Sequence, residues 1–179
     1  MSLHQWGRYQ GTLGGRPVYN NLGPYGFSAS IIAAGTASFV WPAANLAIYQ
    51  PIMLERDTAI ARLWCYNGTT AAGNVDVGIY AADGTLLTSA GSTAQSGTST
   101  LQVFDVTDLR IGPGLYYIAM ACSDATATAF GLSITSAQIG RVVGAFQEAS
   151  AFALPAGATF AAYAQTTVPL VGWTAKSVG

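Results

Sequence analysis

Apolar and polar positions alternate along the middle of the chain, and this pattern predicts β-strands. Residues 58–66 form two alternating faces, one small or aliphatic and the other bulkier. Within residues 75–80, aliphatic residues alternate with Asp76, Gly78 and Tyr80, which predicts one buried face and one polar or aromatic face. Further strands are predicted at residues 85–89, from residue 101 onward and at residues 115–121.

Turn-forming residues separate these strands. Asn67-Gly68 and Asp83-Gly84 are typical of tight hairpins, because both residue types tolerate positive φ. Pro113, flanked by glycines, predicts another turn. Short strands with such turns favour a single all-β domain, an antiparallel β-sandwich or jelly roll, over alternating βαβ units.

One stretch has helical periodicity. Ile139, Val142, Val143 and Phe146 recur at the spacing of one helix face. The intervening glycines each weaken a helix by about 1 kcal/mol. We therefore expect at most one short helix in the chain.

The N-terminal segment has no period. Its aromatic residues lie among Gly, Asn and Pro and have no common local face on which to pack. We interpret residues 1–38 as an extended arm for attachment or subunit contact, and residues 39–179 as the sandwich. The arm's candidate contact residues are Trp6, Tyr9, Tyr19, Tyr25 and Phe27.

Composition predicts association and excludes two kinds of partner. Only 8% of residues are charged, 51% are hydrophobic and the net charge is −1, so much of the surface is expected to meet other subunits. Without clustered Lys and Arg, nucleic acid is not an expected partner. The uncharged stretches 17–54 and 149–175 are interrupted by Pro, Gly and amide residues, so membrane insertion is not expected. Residues 1–8 lack the pattern of a signal peptide.

Residues that could carry chemistry are few and scattered. His4 is the only histidine, which leaves little basis for a catalytic triad or a histidine metal site. Cys65 and Cys122 lie in apolar stretches and are expected to be buried thiols, with a disulfide as the alternative. The acidic residues fit turns and solvated clusters better than a glycosidase pair. We therefore predict a non-enzymatic protein with no cofactor, no metal and no catalytic residue.

Several sequence blocks together resemble a domain of tailed-phage and prophage structural proteins. The blocks include Leu63-Trp64-Cys65-Tyr66-Asn67-Gly68, Gly73-Asn74-Val75-Asp76-Val77-Gly78-Ile79-Tyr80 and Gly112-Pro113-Gly114-Leu115-Tyr116-Tyr117. The resemblance runs from about Phe39 to Gly172 and covers proteins described as tail-fibre-like, minor tail or virion structural proteins. It implies a small β-sandwich on the virion surface, made in the cytoplasm of the host bacterium and assembled as a homotrimer with other virion proteins.

Three functions remain open at this point. The first is a structural component, either in the tail or fibre region or as a capsid decoration protein. The second is a module that binds a host-surface glycan or receptor, in which Trp64, Tyr66 or Tyr80 would stack on sugars. Ordinary sheet packing of those three rings is the interpretation we favour. The third, a glycan-cleaving enzyme, requires a paired-carboxylate cleft that the sequence does not show.

Overall fold

The chain folds into antiparallel β-sheets. The computed structural model describes residues 12–13, 16–20 and 37–175. The strands are β1 Thr12–Leu13, β2 Arg16–Asn20, β3 Ala37–Val40, β4 Leu46–Leu54, β5 Thr58–Tyr66, β6 Asn74–Ala81, β7 Leu86–Ser89, β8 Thr93–Ala94, β9 Leu101–Ile111, β10 Gly114–Cys122, β11 Thr128–Ser133, β12 Phe146–Glu148, β13 Ala161–Ala162, β14 Thr167–Pro169 and β15 Val171–Ala175. One helix, α1 Ala137–Val142, is described between β11 and β12.

The described strands form three sheets. The five-stranded sheet has the order β1-β2-β15-β5-β9, and the three-stranded sheet has the order β14-β11-β3. The seven-stranded sheet has the order β13-β12-β4-β10-β6-β7, and β8 also pairs with β6. This arrangement confirms the predicted all-β, antiparallel, single-domain sandwich with one short helix.

The core lies between the two large sheets, because alternate residues of their strands point inward. Ile48 and Ile118 from the seven-stranded sheet belong to the same fully buried cluster as Leu63 and Trp173 from the five-stranded sheet. Burying one such side chain contributes about 1.5–3 kcal/mol. Strands β4 and β10 are paired from Leu46 through to the end of β4, so they form the continuous centre of the seven-stranded sheet.

The helix is shorter than its sequence periodicity indicates. The Ser136 side chain caps it by accepting a hydrogen bond from the Gln138 backbone N–H. Gly144 follows the helix with φ of +83°, a conformation that favours glycine and leads the chain away from the helix axis. Phe146, the last residue of the predicted helical face, therefore begins β12 instead.

Part of the predicted arm belongs to a sheet. The backbone of β2 pairs with β15, and its Tyr19 lies opposite Trp173. This pairing satisfies backbone groups of β15 on the side away from β5. The side chain of Tyr19, and all of Trp6, Tyr9, Tyr25 and Phe27, lie outside the described residues.

A segment after β12 covers the outer face of the seven-stranded sheet. We call this segment, residues 149–160, the strap. The outer face carries polar and aromatic residues as predicted, but it is buried: Asp76 is 1% exposed and Tyr80 is 0% exposed. Leu154 of the strap packs with Tyr80 in this outer layer. The seven-stranded sheet is therefore covered on both sides.

Gly131 tests how closely the three-stranded sheet is packed. A Cβ at this position of β11 would collide with the backbone oxygen of Val168 and lie 2.7 Å from Cε1 of Phe39. We expect Gly131→Ala to lower the free energy of unfolding by about 1–3 kcal/mol or more, because a backbone strand must shift. Urea denaturation measures this change. Gly157→Ala is the control, since its Cβ would meet no atom within 4 Å, and an equal effect of both variants would contradict the packing argument.

Candidate functional site

The three rings predicted as candidate sugar contacts lie in different places. Trp64 is 3% exposed in the middle of the five-stranded sheet, and Tyr80 is 0% exposed beneath the strap. The Tyr80 hydroxyl donates a hydrogen bond of 2.8 Å to the carbonyl oxygen of Pro155. Neither ring presents a face to solvent, which is the arrangement that sheet packing produces.

Tyr66 is the one of the three that keeps a partly exposed ring. Its hydroxyl donates a hydrogen bond of 3.0 Å to the carbonyl oxygen of Ser99. Its ring packs edge-on against Phe130, with centroids 5.0 Å apart. The fold does not bring Tyr66 together with Trp64 and Tyr80 into one aromatic platform.

A network of amide side chains forms the most concentrated polar site of the described residues. Asn67 is fully buried, and its Nδ2 donates to the carbonyl oxygen of Ser96 at 2.6 Å and to Oε1 of Gln102 at 2.9 Å. Its Oδ1 accepts a hydrogen bond of 3.2 Å from Nε2 of Gln95. Gln95 also donates to the carbonyl oxygen of Thr128 at 2.8 Å. We call these three amide side chains, Asn67, Gln95 and Gln102, the amide network.

The amide network fastens loops rather than presenting groups to a ligand. Backbone N–H groups of Ala72 and Ser96 donate to Oε1 of Gln95 and Oε1 of Gln102, respectively. Gln102 in turn donates to the carbonyl oxygen of Ala94. The network thus connects the loop after β5 with the loop before β9. Polar groups that are satisfied in this way stabilise a particular loop conformation.

The tight hairpin predicted at Asn67-Gly68 is wrong. Asn67 turns its side chain inward, its backbone N–H donates to the carbonyl oxygen of Thr100, and β6 begins only at Asn74. The turn predicted at Asp83-Gly84 is confirmed: Gly84 has φ of +89°, and Asp83 accepts a hydrogen bond from the Thr85 N–H.

Sequence reasoning missed Gln95 and Gln102, which lie before and after a loop of Gly, Ser and Thr at residues 96–100. The sole signal they gave was an amide residue on each side of that loop.

Aromatic side chains of the strap and of the seven-stranded sheet pack together in one layer. Tyr49 packs edge-on against Tyr80 and Phe160, with both centroid distances 5.2 Å. The Tyr49 hydroxyl donates a hydrogen bond of 2.7 Å to Oε2 of Glu148, which also accepts from the Thr159 N–H of the strap. Burial, with the hydrogen bond to Glu148, raises the pKa of Tyr49 far above its usual value of 10.0. The phenol therefore stays neutral and acts as a packing and hydrogen-bonding group.

The carboxylates are dispersed over the described part of the chain. Asp83 and Asp124 are exposed turn residues, and the backbone N–H groups of Thr85 and Thr126 lower their pKa values. Asp105 forms an exposed ion pair of 3.2 Å with Arg62. Within residues 37–174, no group of three or more His, Cys, Asp or Glu side chains is placed to hold a metal ion.

Cys65 and Cys122 are free, buried thiols, in agreement with the interpretation that we favoured from the sequence. Burial raises the pKa of the Cys65 thiol to about 12. Cys65 is therefore protonated at neutral pH, and a protonated thiol is a poor nucleophile. Its Sγ lies 3.6 Å from Oδ1 of Asn67, at the edge of the amide network.

Comparison with known protein families and with curated proteins finds no match to this chain. In the ranges that the structure describes, no helix is long and apolar enough to cross a membrane.

Asn67 tests the structural role of the amide network. We expect Asn67→Ala to lower the free energy of unfolding by about 2–4 kcal/mol, since each lost hydrogen bond is worth about 1 kcal/mol and its partners stay buried. Thermal unfolding followed by circular dichroism measures this loss. The matched control is Asn74→Ala, which removes one exposed hydrogen bond to Ser92 and should cost less than about 1 kcal/mol. Equal losses of unfolding free energy in the two variants would show that the amide network stabilises the fold no more than one exposed hydrogen bond does.

Trp64 distinguishes core packing from ligand contact. We expect Trp64→Ala to cost about 3–5 kcal/mol, because truncating a buried Trp leaves a cavity. Val103 lies opposite Trp64 on β9 and is 37% exposed, so Val103→Ala is a milder control on the same pair of strands. Chemical denaturation measures both variants. Unchanged stability of Trp64→Ala, together with lost binding to bacterial surface glycans, would instead favour a contact role.

Proposed function

We propose that this chain is a non-enzymatic structural protein on the surface of a tailed-phage virion. The amide network is the observation that carries the proposal. Its side chains form hydrogen bonds within the protein that hold loops in place, and this is a structural role. Glu148 has the same kind of role, since it joins Tyr49 of the sheet to Thr159 of the strap. Such use of polar groups fits a scaffold whose rigid shape is its function. The setting on a phage particle is supported by the resemblance described above.

The surface composition supports assembly with other subunits. Charged residues make up 8% of the chain, and several large apolar side chains are exposed in the structure. Met53 and Leu115 lie opposite each other on β4 and β10, with exposures of 45% and 39%. Val142 at the end of α1 is 86% exposed. Exposed apolar side chains on a nearly neutral surface favour association, and we propose a homo-oligomer, with a trimer as the form that the resemblance implies.

Copies of the chain are expected to associate through their exposed apolar surfaces rather than by strand pairing along β9, the edge strand of the five-stranded sheet. The register between β5 and β9 shifts between Ile60 and Arg62, where β9 carries extra residues. Asp105 and Asp108 in this irregular part of β9 are exposed. A bulge and charged residues on an edge strand oppose strand addition by a second chain. The copies are therefore proposed to meet through their apolar faces and through the arm, residues 1–38.

Phage particles provide the direct test of this proposal. Antibodies against the folded domain should label intact particles purified from the bacterium that carries the gene, at a fixed site on either the tail or the head. Mass spectrometry of the same particles should find the chain in a constant ratio to the major structural protein. Cryo-electron microscopy would distinguish a tail or fibre position from capsid decoration.

The control is a lysate from the same bacterium with the gene deleted, which should give unlabelled particles. Light scattering of the purified chain should give a mass near three times the 18.4 kDa of one copy. Absence of the chain from purified particles would overturn the virion assignment. A soluble monomer at micromolar concentration would overturn the oligomer.

A further inference from the structure

Asp76 is a carboxyl group buried beneath the strap. It lies on the outer face of β6, where its register partner on β10 is Ala121, a member of the outer apolar layer. Only 1% of its surface is exposed. An ionisable group in such a position requires either a charged partner or a neutral state.

The strap is the cover of this carboxyl group. The backbone N–H of Leu154 donates a hydrogen bond of 3.1 Å to Oδ2 of Asp76. The Leu154 side chain lies over the next outward position of β6, where a Cβ on Gly78 would be 2.8 Å from Cδ1 of Leu154. Oδ1 of Asp76 is buried as well, and the uncharged groups of Ser89, Gly91 and Val77 lie near the carboxyl group. Lifting of the strap removes its cover, so we expect water to reach the carboxyl group in the open form.

The strap is held at several other points, which are independent of Asp76. Ala151 donates to the carbonyl oxygen of Asn45, and Ala158 donates to that of Gly84. The carbonyl oxygen of Ala156 accepts a hydrogen bond from Leu86. These contacts are backbone hydrogen bonds to strand ends and loops of the seven-stranded sheet, and none of them joins the two large sheets. The strap can therefore detach while the sheets stay packed.

We propose that Asp76 makes the attachment of the strap dependent on pH: the strap is closed over the neutral carboxyl group and opens increasingly as that group ionises. Opening replaces a buried charge by a hydrated one. It would expose Tyr49 and Tyr80 on the outer face of the sheet.

The charges around Asp76 do not offset its ionisation. The strap, residues 149–160, contains no ionisable side chain. Tyr80 on β6 and Tyr49 on β4 are phenols whose pKa values burial raises, so both remain neutral. Glu148 on β12 is the other carboxyl group of this layer, so it offers no positive charge to Asp76.

Two of the described arginines form contacts away from Asp76. Arg62 pairs with Asp105, and Arg141 donates to the carbonyl oxygen of Tyr163. Ser89 and Gly91, near the end of β7, supply uncharged donors to Asp76. Among the described residues, no cationic side chain forms an ion pair with Asp76.

The direction of the pH dependence follows from these contacts. Burial raises the pKa of Asp76 above 3.8, against the opposing effect of the donors at Leu154, Gly91, Val77 and Ser89. In the open form the carboxyl group meets water, so its pKa is lower than in the closed form. Closing therefore takes up a proton, and the closed form is favoured in full below pH 3.8. Its advantage is lost as pH rises toward the closed-form pKa, by up to about tenfold in the opening equilibrium per pH unit.

Hydrogen exchange with mass spectrometry on the full chain measures this equilibrium. Peptides of the strap are compared between pH 4 and pH 8 after correction for the intrinsic exchange rate. We expect protection of the strap to fall with rising pH, while peptides of β4 and β10 keep theirs. A strap whose protection does not change with pH overturns the proposal, and this outcome requires no variant.

Asp76→Asn assigns the effect to one side chain. The amide oxygen of the substituted side chain can still accept a hydrogen bond from the Leu154 N–H. The amide does not titrate, so the pH dependence of strap protection should disappear. The control is Asp57→Asn, an exposed carboxyl group beyond the opposite end of β4, which should keep the wild-type dependence. Glu148→Gln separates the other carboxyl group of the layer. A dependence that survives in Asp76→Asn, or disappears in Glu148→Gln instead, overturns the assignment to Asp76.

Discussion

The seven-stranded sheet carries large side chains on both of its faces, and neither face can be left in water without a considerable free-energy cost. The inner residues of β4 and β10, such as Ile48 and Ile118, pack against the five-stranded sheet. The outer residues, such as Tyr49 and Tyr117, pack under the strap, and in the described part of the chain their cluster includes no residue of another sheet. Two different covers, one a sheet and the other an irregular segment, therefore enclose the same central strands.

Polar side chains inside the fold serve as fasteners for segments that have no regular structure. Asn67 holds the loop after β5 to the loop before β9, and Glu148 connects Tyr49 to the far end of the strap. Because irregular segments cannot satisfy their backbone groups by strand pairing, side chains supply the missing partners. Only 8% of the residues are charged, and the net charge is −1. This low charge is the feature that connects the fold to the proposed assembly role.

The two covers differ in how firmly they are held. The five-stranded sheet contributes a continuous apolar layer, whereas the strap is attached through separate contacts, among them one to the buried carboxyl group of Asp76. Irregular segments held by separate contacts have a lower local stability than paired strands and open before the core does. The proposed pH response of the strap is thus a property of the weaker cover, and the sandwich beneath it need not change.

Local apolar patterns in the sequence were sufficient to predict β5, β6 and β10, because such patterns depend on residues next to one another. They did not predict β4, the strand beside β10 at the centre of the seven-stranded sheet, nor β11 and β15. They also predicted the turn at Asp83-Gly84 and a short helix near Ile139, where neighbouring residues decide the backbone angles. The same patterns could not show that the outer face of β6 is covered, because Asp76 and Leu154 are separated by 78 positions along the chain. Nor could they show that Asn67 is buried, since its partners Gln95 and Gln102 lie 28 and 35 positions further along the chain. The sequence alone determined those strands whose apolar pattern is clear within a few neighbouring residues. Only the tertiary structure decided which segment covers which face, because that choice depends on shape and hydrogen bonding between residues far apart in the chain.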